Sequence, residues 1–314
     1  MKLAFVFPGQ GSQSVGMMKT YIDNDVVRYT IQEASDTLNT NFHKLIFGDE
    51  IEKLNLTVNT QPILLTCSVA IWRLYLEEGG FKPSVVAGHS LGEYSALTVA
   101  KVLKFSQALR LVKFRALSMQ KAVPLGVGSM AAIIGMEGNA VTELCKKISN
   151  SKKVVQPANF NSFDQTVISG YADLVDEVCK VAVSSGAKRA IKLSVSAPFH
   201  SQLMSSASRD LAEKLKNEEI EEPKIPFINN VSAEELIFQS QIKSSLSIQA
   251  MSPVKWFDII KKIAEHNVDI LVECGPGKVL TNLNKRILPD IKSCSFGNLS
   301  VLNEILAEQK KKIS

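Results

Sequence analysis

Apolar positions along the chain fall into two kinds of run, short unbroken ones and long ones with helical spacing. Residues 3–7 ("LAFVF") and 84–88 ("SVVAG") are brief and almost wholly apolar, as strands buried on both faces should be. Between them, residues 61–78 ("QPILLTCSVAIWRLYLEE") predict a helix, with Pro62 near its start and Gly79-Gly80 stopping it. Further helices are expected from Leu91 to about Lys101 and over 106–122, the latter closed by Pro124 and Gly126. Strands alternating with helices in this way predict a parallel α/β sheet.

The rhythm changes near residue 127. "SMAAIIGM" reads as a strand and "NAVTELCKKIS" as a helix. "KVVQPAN" and "DQTVISG" read as two strands joined by a turn at Asn161-Ser162. "ADLVDEVCKVAVSSG" reads as a helix and "AKRAIKLSV" as a strand. The order βαββαβ is that of a ferredoxin-like unit, expected at 127–197 as an insert in a larger domain made of 1–126 and 198–314. After it come a helix at 202–217, "IPFINNV", a helix near 253–265, and "VDILVECG". The Gly275-Pro276-Gly277 turn then leads into the helix "KVLTNLNKRI", and the tail reads as a solvated helix end with a few loose residues.

Composition adds limits. The chain has 314 residues, 45% apolar and 21% charged, which is ample for a large core and ordinary for a globular protein. Its net charge of +5 fits a normally solvated surface, gives no reason to expect a nucleic-acid partner, and is compatible with a local basic rim for an anionic one. The five cysteines are scattered and lack any C-x-x-C pair, arguing against disulfides or a zinc site and for a reducing compartment. The N-terminal apolar run of five residues is too short for a signal peptide, and no stretch approaches a membrane span. A cytoplasmic or organelle-matrix protein with no membrane partner is expected.

Candidate chemistry centres on "VVAGHSLGEY". Gly88-His89-Ser90-Leu91-Gly92 fits G-x-S-x-G between a strand and a helix, the setting of a nucleophile elbow. Flanking glycines relieve crowding at so tight a turn, and the free N–H of Leu91 can meet a developing oxyanion. A glycine-rich turn with an incidental serine is the plainer reading. Glu93 follows as a first-turn carboxylate favoured by the helix dipole. A serine nucleophile needs a base, and the chain has four histidines. His43 lies in a polar segment, His266 ends a helix, and His89 should point away from its neighbour. His200, on a strand-to-helix connection after the insert, ranks first.

In residues 105–123, Ala108, Leu111, Val112 and Met119 share a helical face, and Arg115 falls in the middle of that apolar group. An inward guanidinium is costly unless paired. Its partner is either a buried protein carboxylate or a carboxylate on a substrate. The second case, with Ser90, suggests transfer of an acid-tailed acyl group.

Over essentially its whole length the sequence resembles the malonyl-CoA:acyl-carrier-protein transacylases of type II fatty-acid synthesis. The resemblance rests on "FVFPGQGSQSVGM", "AGHSLGEYSAL", "FRALSMQ", "GVGSMAAIIGM", "NFNS" before "QTVISG", "SVSAPFHS", "SPVKW" and "ECGPGKVLTNLNKRI". It implies a hydrolase-like large domain with a ferredoxin-like small one. It implies that Ser90 is acylated, that His200 is its base, and that Arg115 grips the malonyl carboxylate. The backbone N–H groups of Leu91 and Gln10 would form the oxyanion hole, and the backbone carbonyl of Gln249 would orient the histidine. Asn159 matches a family asparagine near the cleft. Malonyl-CoA and acyl carrier protein are the implied partners, and no metal or cofactor is required. Two departures stand out: Phe163-Asp164 replaces the usual Pro-Gly after "NFNS", and Ala250-Met251 follows Gln249 where a leucine and a small or polar residue are usual. The rival readings are a serine esterase or thioesterase, a transferase for another extender unit such as methylmalonyl, and a carrier-binding scaffold without turnover.

Overall fold

Leu3–Phe7 forms strand β1, and its side chains alternate between two cores. Leu3, Phe5 and Phe7 pack with residues of the helix Thr57–Glu77 and with Phe296, while Ala4 and Val6 pack with Ile228, Trp256, Ile259 and Leu271. Phe5 meets Trp72 edge-on at 5.4 Å between ring centroids. This double burial is why the segment carries no polar alternation.

The computed structural model describes residues 1–312. The remaining strands are β2 (Val85–Gly88), β3 (Gly128–Ile134), β4 (Val155–Ser162), β5 (Gln165–Tyr171), β6 (Arg189–Lys192), β7 (Phe227–Ile228), β8 (Ile270–Glu273) and β9 (Lys292–Ser295). One sheet has the order β7-β2-β1-β8-β9 with every pairing parallel. A second sheet has the order β4-β5-β3-β6 with every pairing antiparallel. The helices Gly138–Ile148 and Ala172–Ser184 share a core with Ala131, Ile133, Val155 and Ile168 of this second sheet. Met130, Ala132, Ala158 and Val167 instead pack with Met119, Phe199 and Met204. Backbone bonds join the two parts: Val254 N–H donates to the carbonyl of Ala158 at 2.8 Å, and Phe160 N–H to that of Val254 at 2.9 Å.

Several sequence expectations shift. The first long helix begins at Thr57, so Pro62 lies inside it. Proline has no N–H for the carbonyl of Val58 four residues earlier, and Lys113 Nζ donates to that oxygen at 3.1 Å instead. The turn between β4 and β5 falls at Phe163-Asp164, since Ser162 pairs with Gln165; Asn161 and Ser162 belong to β4. Helices Asp25–Leu38 and Gln239–Gln249, and strand β9, were not foreseen. The tail is helical over Leu299–Lys311, and the loose final residues expected there lie outside the described residues.

Candidate active site

The carboxyl ends of β1, β2 and β7 lie side by side, so the segments that leave them converge. Ser90 leaves β2 with φ of 53°, a left-handed conformation that costs a non-glycine residue about 1–2 kcal/mol. Its flanking glycines are sterically required. A Cβ on Gly88 would sit 1.9 Å from the carbonyl carbon of Gly92, and one on Gly92 would sit 2.0 Å from the carbonyl oxygen of Phe7. Gly9 approaches as closely, with a Cβ there 2.4 Å from the carbonyl oxygen of His89, and this brings the loop carrying Gln10 against the elbow. Asn230, just after β7, braces the turn: its Nδ2 donates to the Gly88 carbonyl at 2.6 Å and its Oδ1 accepts from Ser90 N–H at 2.7 Å.

His200 reaches the elbow from the connection after β6. Its Nε2 lies 2.7 Å from Ser90 Oγ. Its Nδ1 lies 3.0 Å from the backbone carbonyls of both Gln249 and Ser252. A carbonyl can only accept, so Nδ1 carries the ring proton and Nε2 presents its lone pair to the serine hydroxyl. Burial, the Arg115 charge and His89 together push the His200 pKa down to about 3, against the two carbonyls that favour the charged form.

Arg115 is fully buried, and its protein partners are neutral. Nη1 donates to Gln61 Oε1 at 2.8 Å, and Nη2 to Gln249 Oε1 at 2.9 Å and Ser90 Oγ at 3.1 Å. Its Nε–H has no acceptor among the described residues. Of the two partners open to it in the sequence, a directly paired protein carboxylate is not what the fold supplies. Glu93 stands one residue further back, bonded through Oε2 to Gln249 Nε2 and through Oε1 to the Asn230 N–H at 3.2 Å. Glu93 is the first-turn carboxylate of the helix Gly92–Val99, as expected, and it is also buried in this network. Burial raises its pKa to about 7, while Gln249, Asn230 and Arg115 hold it down.

A cavity of about 90 Å³ opens onto these groups. Its walls include Gln10, Ser90, Leu91, Arg115, Asn159 and His200, with Gln61, His89 and Phe199 beside them. Gln249 stands behind the wall and holds its neighbours by hydrogen bonds. No protein group among the described residues accepts the backbone N–H of Gln10 or Leu91. The Oδ1 of Asn159 is buried with no donor among the described residues. His89 does not bond the serine: its Nε2 lies 2.9 Å from Asn161 Oδ1. His43 stacks on Phe47 and His266 pairs with Glu235, and neither lines the cavity. Among the described residues no group of three or more His, Cys, Asp or Glu could hold a metal ion, and no helix is long and apolar enough to cross a membrane.

Residues 4–298 match the family model described as the acyl transferase domain. The malonyl CoA-acyl carrier protein transacylase of Salmonella typhimurium is 42% identical over 308 residues, covering 98% of this chain and 99% of that one. The chain belongs to the malonyl-CoA–acyl carrier protein transacylase family. Solved relatives of this transacylase family overlay it closely. The acyl-carrier-protein S-malonyltransferase of Burkholderia pseudomallei gives a TM-score of 0.95 at 46% identity, covering 98% of this chain and 100% of that one. A malonyl-transacylase in complex with a type II PKS acyl-carrier protein gives 0.96 at 42% identity, with the same coverage.

Two polar residues of this candidate site, Gln61 and Asn230, have no place in the sequence reading, and a third, Glu93, has only its first-turn role there. Gln61 is a lone amide ahead of an apolar helical run, and Asn230 follows a buried strand on the sheet edge where ligands gather. Each signal is visible in the sequence, but each is also common in sites that bind nothing.

Proposed function

We propose that this chain moves a malonyl group from malonyl-CoA to the phosphopantetheine thiol of acyl carrier protein in fatty-acid biosynthesis, through a malonyl-serine ester. His200 Nε2 takes the proton of Ser90 Oγ as the oxygen attacks the thioester carbon. The oxyanion meets the N–H groups of Gln10 and Leu91. The C–S bond breaks, and the leaving thiolate of coenzyme A takes the proton back from His200. The carrier's thiol then enters and the same steps run in reverse. Asn159 takes part in substrate binding, and the Gln249 carbonyl orients the base in place of an acid.

The observation that carries this reading is the Arg115 guanidinium, buried, bonded to neutral groups and 3.1 Å from Ser90 Oγ. Once Ser90 is acylated, the malonyl carboxylate is one methylene beyond the ester carbonyl and within reach of that cation. The same pairing offsets the Arg115 charge that depresses His200, so the bound substrate strengthens its own base. An acetyl group leaves the guanidinium without an anion, which disfavours it. The names of the relatives support the donor and the acceptor.

The antiparallel order and its βαββαβ connectivity support a ferredoxin-like small domain at 127–197. The elbow at the carboxyl end of β2, an inner strand of a parallel sheet, supports a hydrolase-like large domain of 1–126 and 198–314. The cytoplasm is the proposed compartment, in keeping with the free cysteines. Incubation with malonyl-CoA followed by intact-mass and peptide analysis tests the function. One malonyl group should appear on the Ser90 peptide and pass to holo acyl carrier protein. Release to water as the main fate, or an unchanged adduct in Ser90→Ala, would overturn it.

A further inference from the structure

The side-chain amide of Gln249 has three neighbours whose chemistry leaves it one orientation. Arg115 Nη2 can only donate, and it faces Oε1 at 2.9 Å. The Ser90 carbonyl can only accept, and it takes Nε2 at 3.0 Å. The carboxylate of Glu93 also takes Nε2. Glu93 is itself held from the other side, since its second oxygen accepts from the Asn230 N–H at 3.2 Å. Both oxygens therefore serve as acceptors when the carboxyl is ionised, as it is above about pH 7, where the competition below is run. A neutral amide of the same shape has only one.

We propose that Glu93 is a positioning residue for malonyl selection: its carboxylate fixes the Gln249 amide so that Oε1 anchors Arg115 beside Ser90. This rests on the transacylase reading above and extends it to a residue that touches no substrate. The route to the anchored guanidinium runs through the side chain of Gln249; the other hydrogen bond of Glu93, from the Asn230 N–H, leads to the Ser90 turn and bears on every acyl group alike. The contact of Gln249 with His200 is made by its backbone carbonyl at 3.0 Å, so a disturbed amide leaves the base oriented. In Glu93→Gln the single amide oxygen goes to the Asn230 N–H, which the main chain fixes, and the NH2 group faces Gln249 Nε2, which belongs to a side chain that can turn. The Gln249 amide then turns over and presents its own NH2 to the guanidinium, and Arg115 loses its place. Groups that wait for a carboxylate suffer most, so the loss falls on malonyl transfer rather than on acyl transfer in general.

The experiment is a competition of malonyl-CoA and acetyl-CoA for Ser90, read by intact mass, with wild type, Glu93→Gln, Gln249→Leu and the double variant. The malonyl-to-acetyl ratio should fall about tenfold or more in Glu93→Gln, the size of effect seen when hydrogen bonds to charged groups are lost. It should fall similarly in Gln249→Leu, and no further in the double variant, because both act through one contact. An unchanged ratio in Glu93→Gln, or an additional fall in the double variant, overturns the proposal. If Glu93→Gln does not fold, an unchanged ratio in Gln249→Leu overturns it equally. Absence of any malonyl adduct on the wild type would instead sink the transacylase reading itself, so the two failures are distinguishable.

Discussion

Nδ1 of His200 lies 3.0 Å from the backbone carbonyl of Gln249, so a main-chain group occupies the place that an acid holds in a serine triad. The Ser252 carbonyl at the same distance reinforces it. A carbonyl fixes the tautomer without contributing a full negative charge. The imidazole should therefore be a neutral ring protonated at Nδ1, and burial with the Arg115 charge should keep it neutral well below its ordinary range. Nitrogen-15 NMR of the histidines at pH 7 checks this. The His200 signal should show a bare Nε2 and should not titrate between pH 7 and 5. A protonated Nε2, or a transition near pH 6.5, would contradict the assigned role of base.

The role proposed for Arg115 is selectivity more than raw rate. In Arg115→Ala the malonyl carboxylate would enter a pocket with no counter-charge, while an acetyl group would no longer face an unpaired cation. A broken buried pair of this kind costs about 3–5 kcal/mol, so kcat/KM for malonyl-CoA should fall by on the order of 10²-fold or more. Relative activity on acetyl-CoA should rise. A steady-state panel of acyl-CoA donors measures both, and an unchanged donor preference would refute this role for the guanidinium.

The parts legible in sequence are those set by local geometry. The elbow was readable because glycine on both sides of Ser90 is forced by contacts under 2.5 Å that no other residue survives. Arg115 was readable because helical periodicity alone puts it among Ala108, Leu111, Val112 and Met119, all of them buried. What stayed hidden depends on distant segments. Glu93 reads as a first-turn acid facing only the helix dipole, and the Asn230 and Gln249 that close over it come from 137 and 156 residues away. The serine-rich helix Gln239–Gln249 buries only Ile242, Leu246 and Gln249, too thin an apolar stripe to stand out. Asn161-Ser162 is good turn chemistry, overridden by the pairing of Ser162 with Gln165.

Glu93 and His200 should act oppositely on acid stability. Folded Glu93, with its pKa raised from 4.5 to about 7, holds a proton that the unfolded chain releases between those values, so acidification through that window favours the fold. Folded His200, with its pKa lowered from 6.5 to about 3, refuses a proton that the unfolded chain binds, so acidification below 6.5 disfavours the fold. Between pH 6.5 and 4.5 the two effects largely cancel. Glu93→Gln removes the first and leaves the second. Relative to wild type, the variant should lose on the order of 2 kcal/mol between those pH values. Urea midpoints measured across the window decide it, and parallel curves for the two proteins would show that the Glu93 shift is absent.

Pro62 and Lys113 should be coupled energetically. The proline leaves the Val58 carbonyl without its helical donor, and the partly buried Lys113 ammonium donates to it at 3.1 Å. Burial lowers the pKa of that lysine, a cost the contact must offset. Lys113→Met alone leaves the carbonyl unsatisfied and should destabilise the protein by about 1–2 kcal/mol. In a Pro62→Ala background the restored backbone N–H takes up the same oxygen, and Lys113→Met should then cost much less. A double-mutant cycle on urea unfolding measures the difference. Equal costs for Lys113→Met in the two backgrounds would mean that the helix does not depend on the lysine to repair its proline.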